Sequence, residues 1–241
     1  MLSRRLLIAL LCLVSGPTLA AGETAAWDSF AATSLGSPVS VFSLLTLLSL
    51  LPFGVIALTT FTRNIVVLSL VRHALGLQTT PPNIILIVLA MFLTLFVMTP
   101  TLQSAYEAGA KPFMAGQATL EQAASEGWVP LRDFMVRQTH ESDLRLIHEL
   151  AKAPLPATVE QLNPVHLVPA FMLSELKIAF QIGFMIFLPF LIIDIIVSSI
   201  LMSLGMIMVP PITISLPLKI MLFLLIDGWG LITQTLVRSV A

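Results

Sequence analysis

Charged residues are scarce in this chain. Only 10% of its 241 residues are Asp, Glu, Lys or Arg, and the net charge is −1. A soluble domain carries about 25% charged residues, so the composition indicates a membrane-class protein. Because neither sign is in excess, the composition argues against a nucleic-acid partner. The single cysteine, Cys12, excludes an intrachain disulfide and a thiolate metal cluster.

Motifs for catalysis and metal binding are also missing. His148 and Glu149 resemble the start of an HExxH zinc motif, but Lys152 occupies the position of the second histidine. Asp194 and Asp227 raise the alternative of an intramembrane aspartyl protease, but neither lies in a Gly-x-Gly-Asp turn and a dyad needs two carboxylates at close range. There is no phosphate-binding GxxxxGK[ST] motif. We therefore predict no enzyme, no cofactor and no metal site.

Long apolar runs dominate what is present, and they are continuous, which predicts helices. The run 178–208 would reach ~46 Å as one helix, against a hydrocarbon core of ~30 Å. Pro189 and Asp194 lie in its middle, and a carboxylate at membrane depth costs at least ~2.5 kcal/mol. We interpret residues 178–219 as a helical hairpin that packs against other protein, with its tip at 205–211.

The beginning of the chain has the pattern of a secretory signal peptide, residues 1–20. Arg4 and Arg5 form a basic region, and an apolar stretch at 6–14 is too short to span a bilayer. Residues 18–20, Thr-Leu-Ala, present small side chains at the positions that a signal peptidase reads. An uncleaved anchor is the alternative. Cleavage would remove Cys12.

A first apolar helical hairpin is predicted over residues 39–100, and Pro100 is expected to close its second segment. The connection at 62–83 contains basic residues, among them Arg63 and Arg72, and no acidic one. The positive-inside tendency places this basic loop in the cytoplasm. Gly76 is expected to end the helix that carries both arginines.

Residues 101–168 have a different composition, with five basic and eight acidic side chains. They predict a soluble helical insert. Thr119 and Gln122 have the spacing of a capping box, and Gly127 is a candidate stop. Apolar positions at helical spacing predict two amphipathic helices here, and Gln138 falls on the first of these stripes.

Alternation from the signal peptide gives the expected topology of a multi-pass inner-membrane protein. Residues 21–38 form a periplasmic N-terminal segment, the insert is periplasmic, and both termini lie on that side. Residues 169–241 form the second apolar hairpin. The fold class is thus all-α and membrane-associated, with proline-broken hairpins and a soluble helical insert.

Five ionisable side chains lie in apolar context: Glu175, Lys177, Asp194, Lys219 and Asp227. They either extend to the interface or pair for structure, or they pair between subunits of a ring. We hypothesise that Glu175 and Lys219 pair between neighbouring subunits, with Asp194 as the competing partner of Lys219.

The tip of the second hairpin contains no charge and no hydrogen-bonding side chain. Methionine is flexible and fills irregular gaps, so these residues either pack the hairpin or, repeated around an axis, form an apolar plug. The residues concerned are Met206, Ile207, Met208, Val209, Pro210 and Pro211.

Several long motifs occur in a fixed order between residue 40 and the end: FTR at 61–63, VRHALG at 71–76, TPPN at 80–83, FMVRQT at 134–139, SELKIAFQIG at 174–183, LGMIMVPP at 204–211, LPLK at 216–219 and DGW at 227–229. Together they resemble the FliP family of type III export-gate proteins. Its virulence branch, in injectisomes, tends to lack a signal peptide and to have lysine near Arg63. The signal peptide and Arg63 favour the flagellar branch.

The resemblance implies a pore subunit and not an enzyme. It implies a pentameric ring assembled with FliQ and FliR in the flagellar basal body, through which unfolded proteins pass, with the methionine-rich loop as a gasket. It also implies that the assembled helices lie largely above the bilayer plane. Ile207 departs from an expected methionine, and His73 from a common asparagine. A small-solute transporter acting alone is the rival, disfavoured because the apolar runs contain few polar groups.

Overall fold

A computed structural model describes residues 38–154, 156 and 158–240. Every regular element within them is helical, which confirms the all-α class. The expected signal peptide and Cys12 lie outside the described residues. The chain divides into two compact units, Met1–Leu51 and Pro52–Ala241, and the first helix begins in the former and ends in the latter.

The α-helices, in chain order, are α1 (Pro38–Leu58), α2 (Phe61–Ala74), α3 (Asn83–Ala105), α4 (Lys111–Met114), α5 (Leu120–Gln138), α6 (Glu141–Leu150), α7 (Pro164–Ser203), α8 (Ile212–Leu225) and α9 (Gly228–Arg238). A π-helical turn, Tyr106–Ala110, joins α3 to α4, and a 3₁₀ turn, Val159–Gln161, precedes α7.

In the described part of the chain, two helices are long and apolar enough to cross a membrane. They are the continuous run of α3, the π-helical turn and α4, Asn83–Met114 with 32 residues, and α7, Pro164–Ser203 with 40. Two further pairs qualify together but are bent, by 81° between the end of α1 and α2, and by 64° between α8 and α9. The length and composition of these helices fit the predicted membrane class, with two helices that could span a membrane, or up to four spans if each bent pair is one.

Proline does not end the helices in which it lies. The prediction that Pro100 closes the second apolar segment is wrong, because α3 continues through it to Ala105. The hydroxyls of Thr99 and Ser104 donate to the carbonyls of Leu95 and Pro100, at 2.6 and 3.0 Å. The carbonyl that loses its helical donor at Pro100 is that of Phe96, and the two hydroxyl bonds go to other carbonyls of the same stretch. Helix α7 likewise runs without interruption through Pro169 and Pro189.

The start of α5 confirms the capping box, with the Gln122 N–H donating to Thr119 Oγ1 at 3.3 Å and the Thr119 N–H to Gln122 Oε1 at 2.9 Å. The predicted stop at Gly127 is wrong, because α5 continues to Gln138. Gly127 instead packs against Gly109 of the π-helical turn, where a Cβ would overlap the Ala123 carbonyl oxygen. Gly109 therefore permits the close approach of the π-helical turn to α5.

Two clusters of buried apolar side chains hold residues 52–240 together. The larger joins α2, α3, α7, α8 and α9 around Val67, Leu68 and Val71. The smaller joins the insert to α3 and α7, and in it the rings of Phe134 and Phe171 meet edge to face at 6.1 Å. Buried polar side chains, among them Arg63, Glu175 and Lys219, lie on these same helices.

Candidate functional site

Arg63 is the centre of a polar cluster in the interior. Its Nε donates to Glu175 Oε2 at 2.9 Å, and its Nη2 is bonded to Glu175 Oε1 and, at 3.0 Å, to Gln138 Oε1. Its Nη1 donates to the carbonyl and the hydroxyl oxygen of Ser239 at 2.8 and 2.9 Å. All five N–H donors of the guanidinium therefore have acceptors. We call these four residues the Arg63 cluster.

The cluster joins four helices because each member comes from a different one. Arg63 lies in the first turn of α2, Gln138 ends α5, Glu175 lies in α7, and Ser239 follows α9. The side chains of Arg63 and Glu175 are 0% exposed. Gln138 also donates from Nε2 to the carbonyl of Val240 at 3.1 Å. The start of α2 is thus tied to the insert through Gln138 and to the long helix α7 through Glu175. The residues that follow α9 are tied to the insert through Gln138 and to α2 through Arg63.

The residues of the expected basic loop lie in α2. Arg72 is buried like Arg63, and its Nη1 donates to Asn83 Oδ1 at 2.6 Å and to the Pro81 carbonyl at 3.2 Å. Gly76 ends the helix as expected, with φ of +76° and its N–H donating to the His73 carbonyl at 2.9 Å. The placement of Arg63 and Arg72 on the cytoplasmic side of the membrane stays a prediction.

Lys219 bridges three elements. Its Nζ donates to Asp194 Oδ2 at 2.6 Å and to the carbonyl of Ala74, the last residue of α2, at 3.1 Å. A cation at a helix C-terminus interacts favourably with the helix dipole. The side chains of Lys219 and Asp194 are 5% and 37% exposed.

The chain by itself does not bring Glu175 to Lys219. Glu175 is occupied by Arg63, and Lys219 by Asp194, the residue considered above as its competing partner. A contact between Glu175 and Lys219 of neighbouring subunits stays a prediction.

A second polar cluster fixes α6 to α7. The Asp143 carboxylate is fully buried, accepts from Ser174 Oγ at 2.7 Å and is bonded to Lys177 Nζ, while the His140 N–H donates to Ser174 Oγ at 2.9 Å. Burial alone would raise the pKa of Asp143, but the bonds from Lys177 and Ser174 outweigh it, so the pKa lies below its ordinary value of 3.8. The carboxylate is therefore charged at neutral pH.

The histidines of the insert are closer than their spacing in the sequence suggests. The rings of His148 and His166 meet edge to face with centroids 4.8 Å apart, and His148 Nδ1 is bonded to the Leu144 carbonyl at 2.9 Å. Among residues 38–154, 156 and 158–240, no group of three or more His, Cys, Asp or Glu side chains could hold a metal ion.

The elbow between α8 and α9, residues 226–230, is closely packed. Asp227 adopts the left-handed conformation, with φ of 49° and ψ of 56°. The ring of Phe223 occupies the space that a Cβ at Gly228 would need, and the Asp227 carboxylate does the same at Gly230. Phe223 also meets Trp229 edge to face at 5.3 Å. The side chains of the elbow and of Phe223 thus fill the space between the two helices.

The methionine loop, residues 204–211, connects α7 to α8. Gly205 has φ of +73°, a conformation that glycine adopts without strain, and the Met206 N–H donates to the Leu201 carbonyl at 3.0 Å. Ile207 and Met208 are 83% and 95% exposed. Within the described part of the chain, nothing covers these two side chains.

Sequence reasoning missed Gln138, Asp143 and Ser239 as members of buried polar clusters. One signal was available, because Gln138 is a polar residue on an otherwise apolar stripe of α5, where an amide needs a partner. Asp143 and Ser239 have no comparable local signal, since each lies near other polar residues.

Comparisons with known proteins agree with these motifs. The sequence model of the FliP family matches residues 44–236. The chain is 52% identical over 201 residues to the flagellar biosynthetic protein FliP of Pectobacterium carotovorum, covering 83% of this chain and 78% of that one. It is 47% identical over 206 residues to FliP of Bacillus subtilis, covering 86% and 93%.

A third relative matches nearly end to end. FliP of Agrobacterium fabrum is 42% identical over 241 residues, which cover 98% of both chains. Relatives of this kind are structural components of flagellar export and not known enzymes. The chain belongs to the FliP family of flagellar biosynthetic proteins.

Proposed function

We propose that the chain is a core subunit of the flagellar protein export gate, one copy in a pentameric ring assembled with FliQ and FliR in the inner membrane. Unfolded flagellar proteins pass along the axis of this ring. The methionine loops converge there and close the pore around the axis until a substrate parts them.

The exposure of the methionine loop carries this proposal. A solvent-facing turn normally takes polar residues, yet Ile207 and Met208 are almost fully exposed apolar side chains. Copies that meet around an axis would bury one another and exclude water and ions through an apolar constriction. Ile207 leaves the constriction apolar but stiffer, because its side chain is β-branched.

The exposed faces of the long helices support assembly. Phe92 and Phe96 of α3 are 53% and 69% exposed, and Phe184 and Met185 of α7 are 63% and 71% exposed. In a chain with few charges, such faces contact lipid or other protein. The flagellar names of the relatives favour the flagellar gate over a virulence injectisome.

The topology is part of the proposal. The signal peptide is cleaved near residue 20, and the insert at 101–168 is periplasmic. A cysteine introduced at Ala118 is expected to react with a membrane-impermeant maleimide added to the periplasmic side. Labelling from the cytoplasmic side alone would contradict this orientation.

Conductance tests the gasket role of the loop. The double substitution Met206→Ala and Met208→Ala is expected to leave complex abundance unchanged and make cells leaky to small ions. The matched control is Met114→Ala with Met221→Ala, two exposed methionines on α4 and α8 away from the loop. Conductance is compared at equal complex abundance. An assembled loop variant with wild-type conductance would refute the gasket role, and a lower yield without leak would show that these methionines only pack the hairpin.

A further inference from the structure

We propose that Gln138 and Ser239 are positioning residues for the methionine loop, acting from the opposite end of the segment formed by α8, the elbow and α9. The consequence for gating rests on the proposed role of the loop as a gasket. The effect on the loop's position follows from the contacts of this chain alone.

The end of α9 is held by polar contacts to two other helices, α2 and α5. Arg63 Nη1 binds both oxygens of Ser239, and Gln138 Nε2 binds the carbonyl of Val240 at 3.1 Å. Gln138 also accepts from Arg63 at 3.0 Å, so one amide links the guanidinium to this segment. Removing that amide takes away the polar contact between the end of α9 and the insert, and it leaves one guanidinium N–H without its acceptor.

The elbow transmits the position of α9 to α8. Phe223 fills the space beside Gly228, and the Asp227 carboxylate fills the space beside Gly230, so side chains fill the bend of 64° between the helices. Helices α8 and α9 therefore turn as one bent body. The loop is attached to the far end of this body.

A second fixed point lies between the elbow and the loop. Lys219 ties the middle of α8 to Ala74 and Asp194. At about 1.5 Å per residue, Lys219 is ~12 Å from the elbow and ~12 Å from Pro211. A body pivoting at Lys219 with arms of equal length moves its loop end about as far as its elbow end. The Arg63 cluster is the polar contact that opposes this rotation, beside the apolar packing of Phe223, Ile232 and Leu236.

Electron-spin distance measurement tests the proposal in the assembled complex. Nitroxides are placed at Met208→Cys in the loop and at Gln181→Cys on the exposed face of α7, in a Cys12→Ser background. Labelled subunits are diluted with unlabelled ones so that distances within one subunit are measured. The variants are Gln138→Met, which removes both bonds of the amide, and Ser239→Ala, which removes only the hydroxyl contact. Gln234→Met, an exposed position on α9, is the matched control.

Gln138→Met is expected to shift or widen the distance distribution beyond any difference between Gln234→Met and wild type. Ser239→Ala is expected to have a smaller effect, and Gln234→Met none. At equal complex abundance, Gln138→Met is also expected to raise conductance. Should Gln138→Met fail to accumulate, Gln138→Glu, which keeps the acceptor for Arg63 but not the donor for Val240, replaces it.

A distribution identical to wild type in the Gln138 variant would overturn the proposal, and so would a lower yield whose remaining complexes have wild-type distances. The distance reports where the loop lies whether or not the loop seals a pore. A shifted loop without any leak would therefore preserve the positioning role and count against the gasket.

Discussion

The guanidinium of Arg63 and the carboxylate of Glu175 are bonded to each other in the interior, and neither side chain has exposed surface. The residues are 112 positions apart and join the first turn of α2 to the long helix α7. Two charges at such a depth are tolerated because each is paired and every N–H of the guanidinium has an acceptor.

Replacing one member of this pair leaves the other charged and buried. Arg63→Met is expected to reduce the free energy of unfolding by ~3–5 kcal/mol, and Arg63→Met with Glu175→Met by less than the single substitution. Chemical unfolding of the detergent-solubilised chain measures both. The matched control is Arg145→Met, whose partner Glu141 is exposed like Arg145 itself. That change is expected to cost at most ~1 kcal/mol, and an equal loss at both arginines would contradict the role of burial.

Gly109 and Gly127 face each other but differ in the space around them. A Cβ at Gly109 would overlap the Ala123 carbonyl oxygen, whereas the nearest atom to a Cβ at Gly127 is 3.5 Å away. We expect Gly109→Ala to lower the thermal unfolding temperature. Gly127→Ala is expected to be neutral or stabilising, because alanine favours a helix over glycine by up to ~1 kcal/mol. Equal effects of the two substitutions would show that the close approach does not limit stability.

Acid should release α6 from α7. Because the pKa of Asp143 is lower in the folded chain, its contribution to stability is complete above the ordinary value of 3.8 and is lost as the pH falls through the folded pKa. Asp143→Asn is therefore expected to be less stable than wild type at pH 7, by ~1–3 kcal/mol for lost bonds to a charged group. The difference should shrink below pH 3.8. If the stability difference between Asp143→Asn and wild type stays constant from pH 7 to pH 3, titration of Asp143 is not its cause.

Double-mutant cycles distinguish the two partners considered for Lys219. In the isolated chain, Lys219→Met combined with Asp194→Asn is expected to show a coupling energy within the range of about 0.5–3 kcal/mol for contacting residues. In the isolated chain, the effects of Lys219→Met and Glu175→Gln on stability are expected to be additive. Coupling of Lys219 to Glu175 that arises only in the assembled complex would support the predicted pairing between subunits.

Features that depend on a few neighbouring residues could be predicted from the sequence. The capping box at Thr119, the end of α2 near Gly76 and the turn after Ser203 are all determined by local chemistry. Proline and glycine led to wrong predictions of helix ends at two positions. Helix α3 continues through Pro100, and Gly127 lies in the interior of α5, where it faces Gly109 of the π-helical turn.

The partners of the buried charges could not be predicted in the same way. Glu175 and Lys219 could be identified as costly in an apolar run, but the acceptors of Arg63 come from positions 75 to 176 residues away. Their proximity is a product of how α5, α7 and α9 pack. The methionine loop could be identified as unusual from its composition alone, because turns at the surface normally contain polar residues. The structure shows that Ile207 and Met208 of this loop are exposed.

Pro189 has a consequence for hydration of the long helix. It lacks the N–H that would otherwise bond the carbonyl of Met185, and both residues are exposed on the surface of α7. In hydrocarbon an unsatisfied carbonyl costs several kcal/mol, whereas a water molecule or a donor from a neighbouring chain would satisfy it. The helix face beside Pro189 is therefore a poor surface for lipid tails, although its side chains are apolar. Water or a second polypeptide is the better neighbour at this position.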